Sequence, residues 1–359
     1  MHKNAPDLVK EGAPGPNAPK KPSVFSYLFV GLSAAVLLFY IFFVEGAGNV
    51  AHAFAIARKR WLLAALLFIF VYWLLEAFIL HIPLTKLQGG CTFGQNFKVS
   101  MCGQYFNCIT PLASGGQPMQ AYQLVKMGVS VGVATGALLL KFIVYQTVLT
   151  FYSLFVLLFK YREITRGSNV IATAVIVGFL LNLAVDIGLI SIGIFQGFTK
   201  RAAKVIIAAL SKVRLIKDKE KTNQSVAKQL EDFHYSFGLI RGNLLMLCYM
   251  VLGTIVQLTV FFFIPYLIYG AFGLSEADPF TMLAACANVF MVSSFLPVPG
   301  GAEVSFAAVF SMFFPGSLIS AAVLMWRMAT FYAPIAVGAF FAAKPVKKTI
   351  KLRKKNYSL

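Results

Sequence analysis

The sequence predicts an all-α polytopic integral membrane protein, with about six full spans and two re-entrant half-helix hairpins arranged as an inverted repeat. Three observations carry that prediction. The first is composition: of 359 residues, 58% are hydrophobic and only 13% charged, and mean hydropathy is +0.75. A soluble domain is nearer about 25% charged, and several apolar runs exceed the roughly 18 residues that mark a span. The second is a pair of helix-breaking stretches in apolar surroundings, TPLASGGQP at Thr110–Pro118 and LPVPGGAE at Leu296–Glu303. Prolines and glycines at this density cannot continue a helix, and a bilayer tolerates open backbone only where protein or a watery cavity satisfies it. The third is charge. The formal net charge is +19, but Lys and Arg gather in the N-terminal tail, one central loop and the C-terminal tail. That is the distribution positive-inside topology produces, and no nucleic-acid-binding motif accompanies it.

Taken in order, residues 1–22 are rich in Pro, Gly, Asn, Ala and Lys and read as a disordered basic tail. Ser23–Val44 is the first span, and Trp61 to about Ile82 the second, with Glu76 inside it. The polar stretch 92–127 reads as a re-entrant hairpin, two half-helices meeting at Gly115 and Gly116. Ser130–Phe159 is a span holding Lys141, and Asn169 to about Phe198 one holding Asn182 and Asp186. Residues 199–243 form a cytoplasmic linker. Val205, Ile206, Ala209 and Leu210 share one face there, flanked by Lys204 and Lys212, which suits a basic helix on an anionic leaflet or an ordinary solvated hairpin. Leu244–Gly270 is a span, 277–314 a second hairpin around Gly300 and Gly301, and Gly316–Ala343 the last span, with Arg327 inside. Residues 344–359 are a basic tail.

These elements divide into two membrane halves, 23–198 and 244–343, joined by the linker. With both termini and the linker cytoplasmic, the first hairpin enters from the cytoplasm and the second from outside, which makes the repeat inverted. Arg58, Lys59, Arg60, Lys160, Arg162 and Arg166 then fall outside, against the charge rule.

Ionisable groups inside a membrane are costly and are functional candidates by default. Here they are Glu76, Lys141, Asp186, Glu303 and Arg327. Lys141 and Arg327 occupy corresponding spans and are suited to hold a lipid phosphate between them, or each neutralises a carboxylate. Glu303 opens a half-helix, where a carboxylate caps the helix or meets a cation. Glu76 and Asp186 are secondary candidates that a plain buried pair would also explain. Asn107, Thr110, Ser114, Gln117 and Gln120 offer a neutral hydrogen-bonding lining, and the backbone N–H groups freed near Gly115, Gly116, Gly300 and Gly301 can receive phosphate oxygens. The other reading of these glycines is a tight turn or close helix packing.

No HExxH, Walker A, GxSxG or His/carboxylate cluster occurs, so no catalytic residue is assigned. The cysteines form no CxxC pair and the histidines no ligand spacing, so neither metal nor cofactor is expected.

The runs GQYFNCITPLASGGQPMQAYQLVKMGVS, SSFLPVPGGAEVSF and WRMATFYAPIAVGAF resemble the flippase-like membrane domain of lysylphosphatidylglycerol synthases and their stand-alone UPF0104 relatives. The resemblance covers about residues 24 to 345 and lacks the aminoacyl-transferase domain. It implies transport of lysyl-phosphatidylglycerol, or a related aminoacylated or anionic lipid, across the cytoplasmic membrane, and resistance to cationic antimicrobial peptides. The family motifs fall on Asn107, Thr110, Pro111, Gly115, Gly116 and Pro118, on Pro297, Pro299, Gly300, Gly301 and Glu303, and on Arg327. Gln117, Gln120 and Lys141 depart from the acidic and arginine residues common in relatives, which leaves the headgroup open. The expected partners are membrane phospholipids and a separate lipid-modifying enzyme. A secondary transporter of a small amphipathic solute, or a membrane subunit serving a phosphatidylglycerol lysyltransferase, also fits.

Overall fold

The computed structural model describes residues 55–87, 91–110, 113–165, 169–212, 242–293 and 301–343, with scattered positions from 224 to 238. The expected first span, both basic tails and most of the linker beyond Lys212 lie outside the described residues.

Every described element is helical. They are α1 (Lys59–Leu87), α2 (Phe93–Ile109), α3 (Gly116–Met127), α4 (Val131–Thr165), α5 (Asn169–Ile194) and α6 (Gln196–Lys212), then α7 (Leu244–Phe262), α8 (Ile264–Ala271), α9 (Pro279–Ser293), α10 (Gly301–Phe310), α11 (Gly316–Arg327) and α12 (Ala333–Ala343). Among the described residues, five stretches are long and apolar enough to cross a bilayer: α1, α4, most of α5, α7 with α8, and α11 with α12. The protein is a polytopic all-α membrane protein. Leu63, Leu158, Phe159 and Leu244 are each more than 60% exposed, and such faces suit acyl chains.

Two spans break where proline removes a helical donor. α7 gives way to α8 at Phe263, with Pro265 in the first turn of α8. α11 and α12 are separated by a π-helical turn, Met328–Tyr332, directly before Pro334. Pro334 has no N–H for the carbonyl of Thr330, and the wider turn accommodates the loss. The expected end of the fourth span at Phe198 shifts: α5 ends at Ile194 and α6 begins at Gln196. Within α6, Val205 is exposed and Ile207 buried.

The helix pairs α2/α3 and α9/α10 have 17 and 12, and 15 and 10, residues. A single crossing needs about 20. Thr92 starts α2 with a capping box, its hydroxyl accepting from Gln95 N–H while the Gln95 side chain accepts from Thr92 N–H. Gly128, at φ 104°, ends α3 in the left-handed cap conformation.

The core is rich in aromatic rings. Trp326 stacks on Phe306 at 4.6 Å, and Phe306 on Phe310 at 4.1 Å. Phe290 meets Trp326 edge-on, and Phe314 meets Tyr269 and Phe310. These rings fix α9 and α10 against α8 and α11. The first helix pair packs through an aliphatic cluster that includes Leu80, Leu84, Val99, Leu124 and Met127, through Phe97 edge-on to Phe70 and Phe341, and through close backbone approach.

Candidate functional site

Between Ile109 and Gly116 the helix stops and restarts. The Thr110 hydroxyl donates to the Phe106 carbonyl at 2.6 Å and accepts from the Gly115 N–H at 2.8 Å. Both sides of the break are thus tied to one side chain. Ala113 has φ 51°, a left-handed conformation uncommon for a residue with a Cβ. A Cβ on Gly116 would collide with the Asn107 side chain, and one on Gly115 would fall 2.6 Å from Thr110 Cγ2. The two glycines therefore serve close approach.

α3 starts here with no side-chain cap. The first N–H groups of a helix have no intrahelical acceptor and attract anions. Gly116 and Gln117, in that first turn, line a cavity of about 600 Å³. Small-molecule sites run from about 300 to 1,000 Å³. The other lining residues are Tyr72, Glu76 and Ile79 from α1, Gln104 and Asn107 from α2, Ala113 and Ser114 from the break, and Gln120 from α3. α4 adds Leu139, Lys141, Phe142 and Tyr145, α5 adds Leu189, and α7 adds Thr254 and Gln257.

The wall holds an ion pair. Lys141 Nζ lies 2.5 Å from Glu76 Oε1, and both residues are 8% exposed. Gln120 Oε1 accepts from Lys141 Nζ at 3.1 Å, and Gln257 Nε2 donates to Glu76 Oε2 at 2.9 Å. A buried pair holds its charge only when such extra hydrogen bonds satisfy the remaining valences. An ammonium has three donors. Among the described residues two go to Glu76 and Gln120, and the third has no acceptor. Beside the carboxylate, Tyr72 lies against Tyr145 and Gln104.

Of the candidates read from sequence, Asn107, Ser114, Gly116, Gln117, Gln120, Lys141 and Glu76 line this cavity. Thr110 and Gly115 shape the break without lining it. Arg327 is not among the lining residues, so Lys141 and Arg327 do not share that cavity. The Arg327 guanidinium lies over Trp326 and Phe331, its Cζ 5.2 and 4.9 Å from their ring centroids, and close to Cys108. Of the two roles open for Lys141 in the sequence, it has the neutralising one, with Glu76. Asp186 is 4% exposed and forms no ion pair among the described residues. Pro111, Pro297, Pro299 and Gly300 lie outside the described residues. Gly301 opens α10, and Glu303 belongs to its first turn.

Sequence reasoning missed Tyr72, Tyr145, Thr254 and Gln257. A signal existed: Thr254 and Gln257 are three residues apart on one helix face within a largely apolar span.

The fold and site together define a helical membrane protein with a buried ion pair on the wall of a cavity between its helices. The chain belongs to the family described as Lysylphosphatidylglycerol synthase TM region, which it matches over residues 25–338. It is similar to a UPF0104 membrane protein of Archaeoglobus fulgidus, at 24% identity over 297 residues, covering 79% of this chain and 87% of that protein. No solved structure matches the chain.

Proposed function

We propose that this protein is a flippase-like transporter that carries a phospholipid across the cytoplasmic membrane without ATP, with the headgroup in the Glu76–Lys141 cavity. The observation that carries the reading is that Lys141, with a donor unused among the described residues, and the first turn of α3, which has no side-chain cap, line one cavity. A phosphate is the natural ligand of an ammonium and a helix N-terminus together. Amide side chains at Gln104, Asn107 and Gln117 supply neutral donors and acceptors that bind a headgroup without trapping it. Family membership supports a lysyl-phosphatidylglycerol or related aminoacylated or anionic lipid as cargo. Both termini are then cytoplasmic, the direction the basic residues give. The physiological result would be resistance to cationic antimicrobial peptides, with a separate lipid-modifying enzyme as partner.

The test is lipid transfer in proteoliposomes, using fluorescent phosphatidylglycerol and lysyl-phosphatidylglycerol analogues and quenching of the outer leaflet. The wild-type protein is expected to raise the accessible label above that of empty vesicles. The double variant Glu76→Gln/Lys141→Gln removes both charges together and is expected to return it to the empty-vesicle value. No transfer of any lipid by folded wild-type protein would sink the reading.

A further inference from the structure

Away from the cavity, α4, α5 and α9 meet along a buried polar seam. Asn182 is its fixed point: Nδ2 donates to the carbonyls of Gly178 at 2.9 Å and Met291 at 3.2 Å, while Oδ1 accepts from Gln146 Nε2 at 2.5 Å. One turn along α5 lies Asp186, and three residues further Leu189, which lines the cavity. Positions 182, 186 and 189 follow the helical repeat and share one face. Asp186 therefore stands between the main cavity and Met291, in the last turn of α9.

Neither carboxylate oxygen of Asp186 has a hydrogen-bond partner among the described residues, and both are inaccessible to solvent. The polar group beside it is Thr150, fully buried. The Thr150 hydroxyl spends its proton on the Gln146 carbonyl at 3.0 Å. A hydroxyl has one proton and two lone pairs. With that bond made, Thr150 offers Asp186 lone pairs that a carboxyl O–H can use; turned the other way, its own O–H can donate to the carboxylate. Among the described residues, the ionisable side chains on the elements around α5 are Lys141, Tyr145, Tyr152, Lys160, Tyr161, Arg162 and Glu163 on α4, Cys286 on α9, and Lys200 and Arg201 on α6, with His234 near Gly193. Lys141 is committed to Glu76 and Tyr152 to Thr259, and no ion pair reaches Asp186 among the described residues.

We propose that Asp186 is a membrane-embedded proton-binding site, and that loading and unloading it drives the transport cycle. The coupling half rests on the transport reading above; the proton site does not. A proton from the aqueous phase adds to the carboxylate, and the acid O–H then donates to Thr150. Release to the other phase returns the charged form, and the Thr150 hydroxyl must then leave the Gln146 carbonyl to donate to it, which rearranges the seam. The rearrangement passes along α5 to Leu189 on one side and through Asn182 to α9 on the other.

The experiment has two arms, both on the full chain in lipid. Infrared difference spectra between acidic and alkaline buffer are expected to contain a protonated-carboxyl band that Asp186→Asn removes. Thr150→Val, which keeps the acid and the side-chain shape, is expected to move that band to the position of a carboxyl with no acceptor. Lipid transfer under imposed pH gradients is expected to differ severalfold between the two gradient signs in the wild type and to be equal in Asp186→Asn. No band assignable to Asp186, an unmoved band in Thr150→Val, or a band abolished by sodium but not potassium chloride would overturn the proton site. A band with gradient-independent transfer would overturn the coupling alone. A band in a protein that moves no lipid would support the site and reject the lipid reading.

Discussion

Lys141 and Glu76 show how little room a membrane interior leaves for an unpaired charge. Each is buried, and each is completed by an amide, Gln120 on one side and Gln257 on the other. Removing one partner strands the other, at a cost of about 3–5 kcal/mol, whereas removing both charges together is far milder. Lys141→Met is therefore expected to lower the unfolding midpoint in detergent sharply, and Glu76→Gln/Lys141→Gln to lie close to the wild type. Equal midpoints for Lys141→Met and wild type would refute the pairing. Gly116 gives a second test at this scale. Gly116→Ala drives a methyl into Asn107, so it is expected to destabilise, and Asn107→Ala in the same chain to recover part of the loss. A fully additive double-mutant cycle would show that the two positions do not touch.

Among the elements, the break at 110–115 rests on one hydroxyl, since Thr110 both donates to Phe106 O and accepts from Gly115 N–H. Thr110→Val keeps the shape and loses both bonds, an expected cost of about 1–3 kcal/mol in detergent unfolding. At the other end of the molecule, Asp278 ties the start of α9 to the kinked end of α4. It accepts from the Thr281 hydroxyl at 2.7 Å, the Thr281 N–H at 3.0 Å and Lys160 Nζ at 3.1 Å. The Thr281 hydroxyl first, then the Lys160 contact and the Thr281 N–H, hold its carboxyl down at about 2. A carboxyl lowered on folding adds stability above its ordinary value of about 4, and that contribution is lost as pH falls toward the folded value. Unfolding midpoints are thus expected to fall more steeply below about pH 4 in the wild type than in Asp278→Asn. Parallel curves would exclude the tie.

At the scale of the whole molecule, the two helix pairs do different work. The first borders a polar cavity, and the second is gripped by Trp326, Phe306, Phe310 and Phe290. The two halves expected from the sequence therefore pack their helix pairs differently. In the proposed orientation the first hairpin opens to the cytoplasm. Ser114→Cys, in a chain whose native cysteines are alanine, is then expected to react with an impermeant maleimide from the cytoplasmic side of inside-out vesicles. Labelling only in right-side-out vesicles would reverse the topology.

The described helices, five of the expected spans and the break at 110–115 were legible in the sequence because they depend on local properties. Hydropathy over a window decides insertion, and Pro and Gly density decides where a helix cannot continue. Of the expected lining, Asn107, Ser114, Gln117 and Gln120 reach the cavity because they flank the break itself. What the sequence left open is which distant polar groups meet. Glu76 finds Lys141 across 65 residues and Gln257 across 181. Arg327, equally conspicuous in the sequence, turns to aromatic rings instead, and Asp186 finds no partner among the described residues. Such meetings are set by the rotation and register of helices packed side by side, which only the tertiary structure decides, because no local pattern encodes which face of one helix meets which face of another.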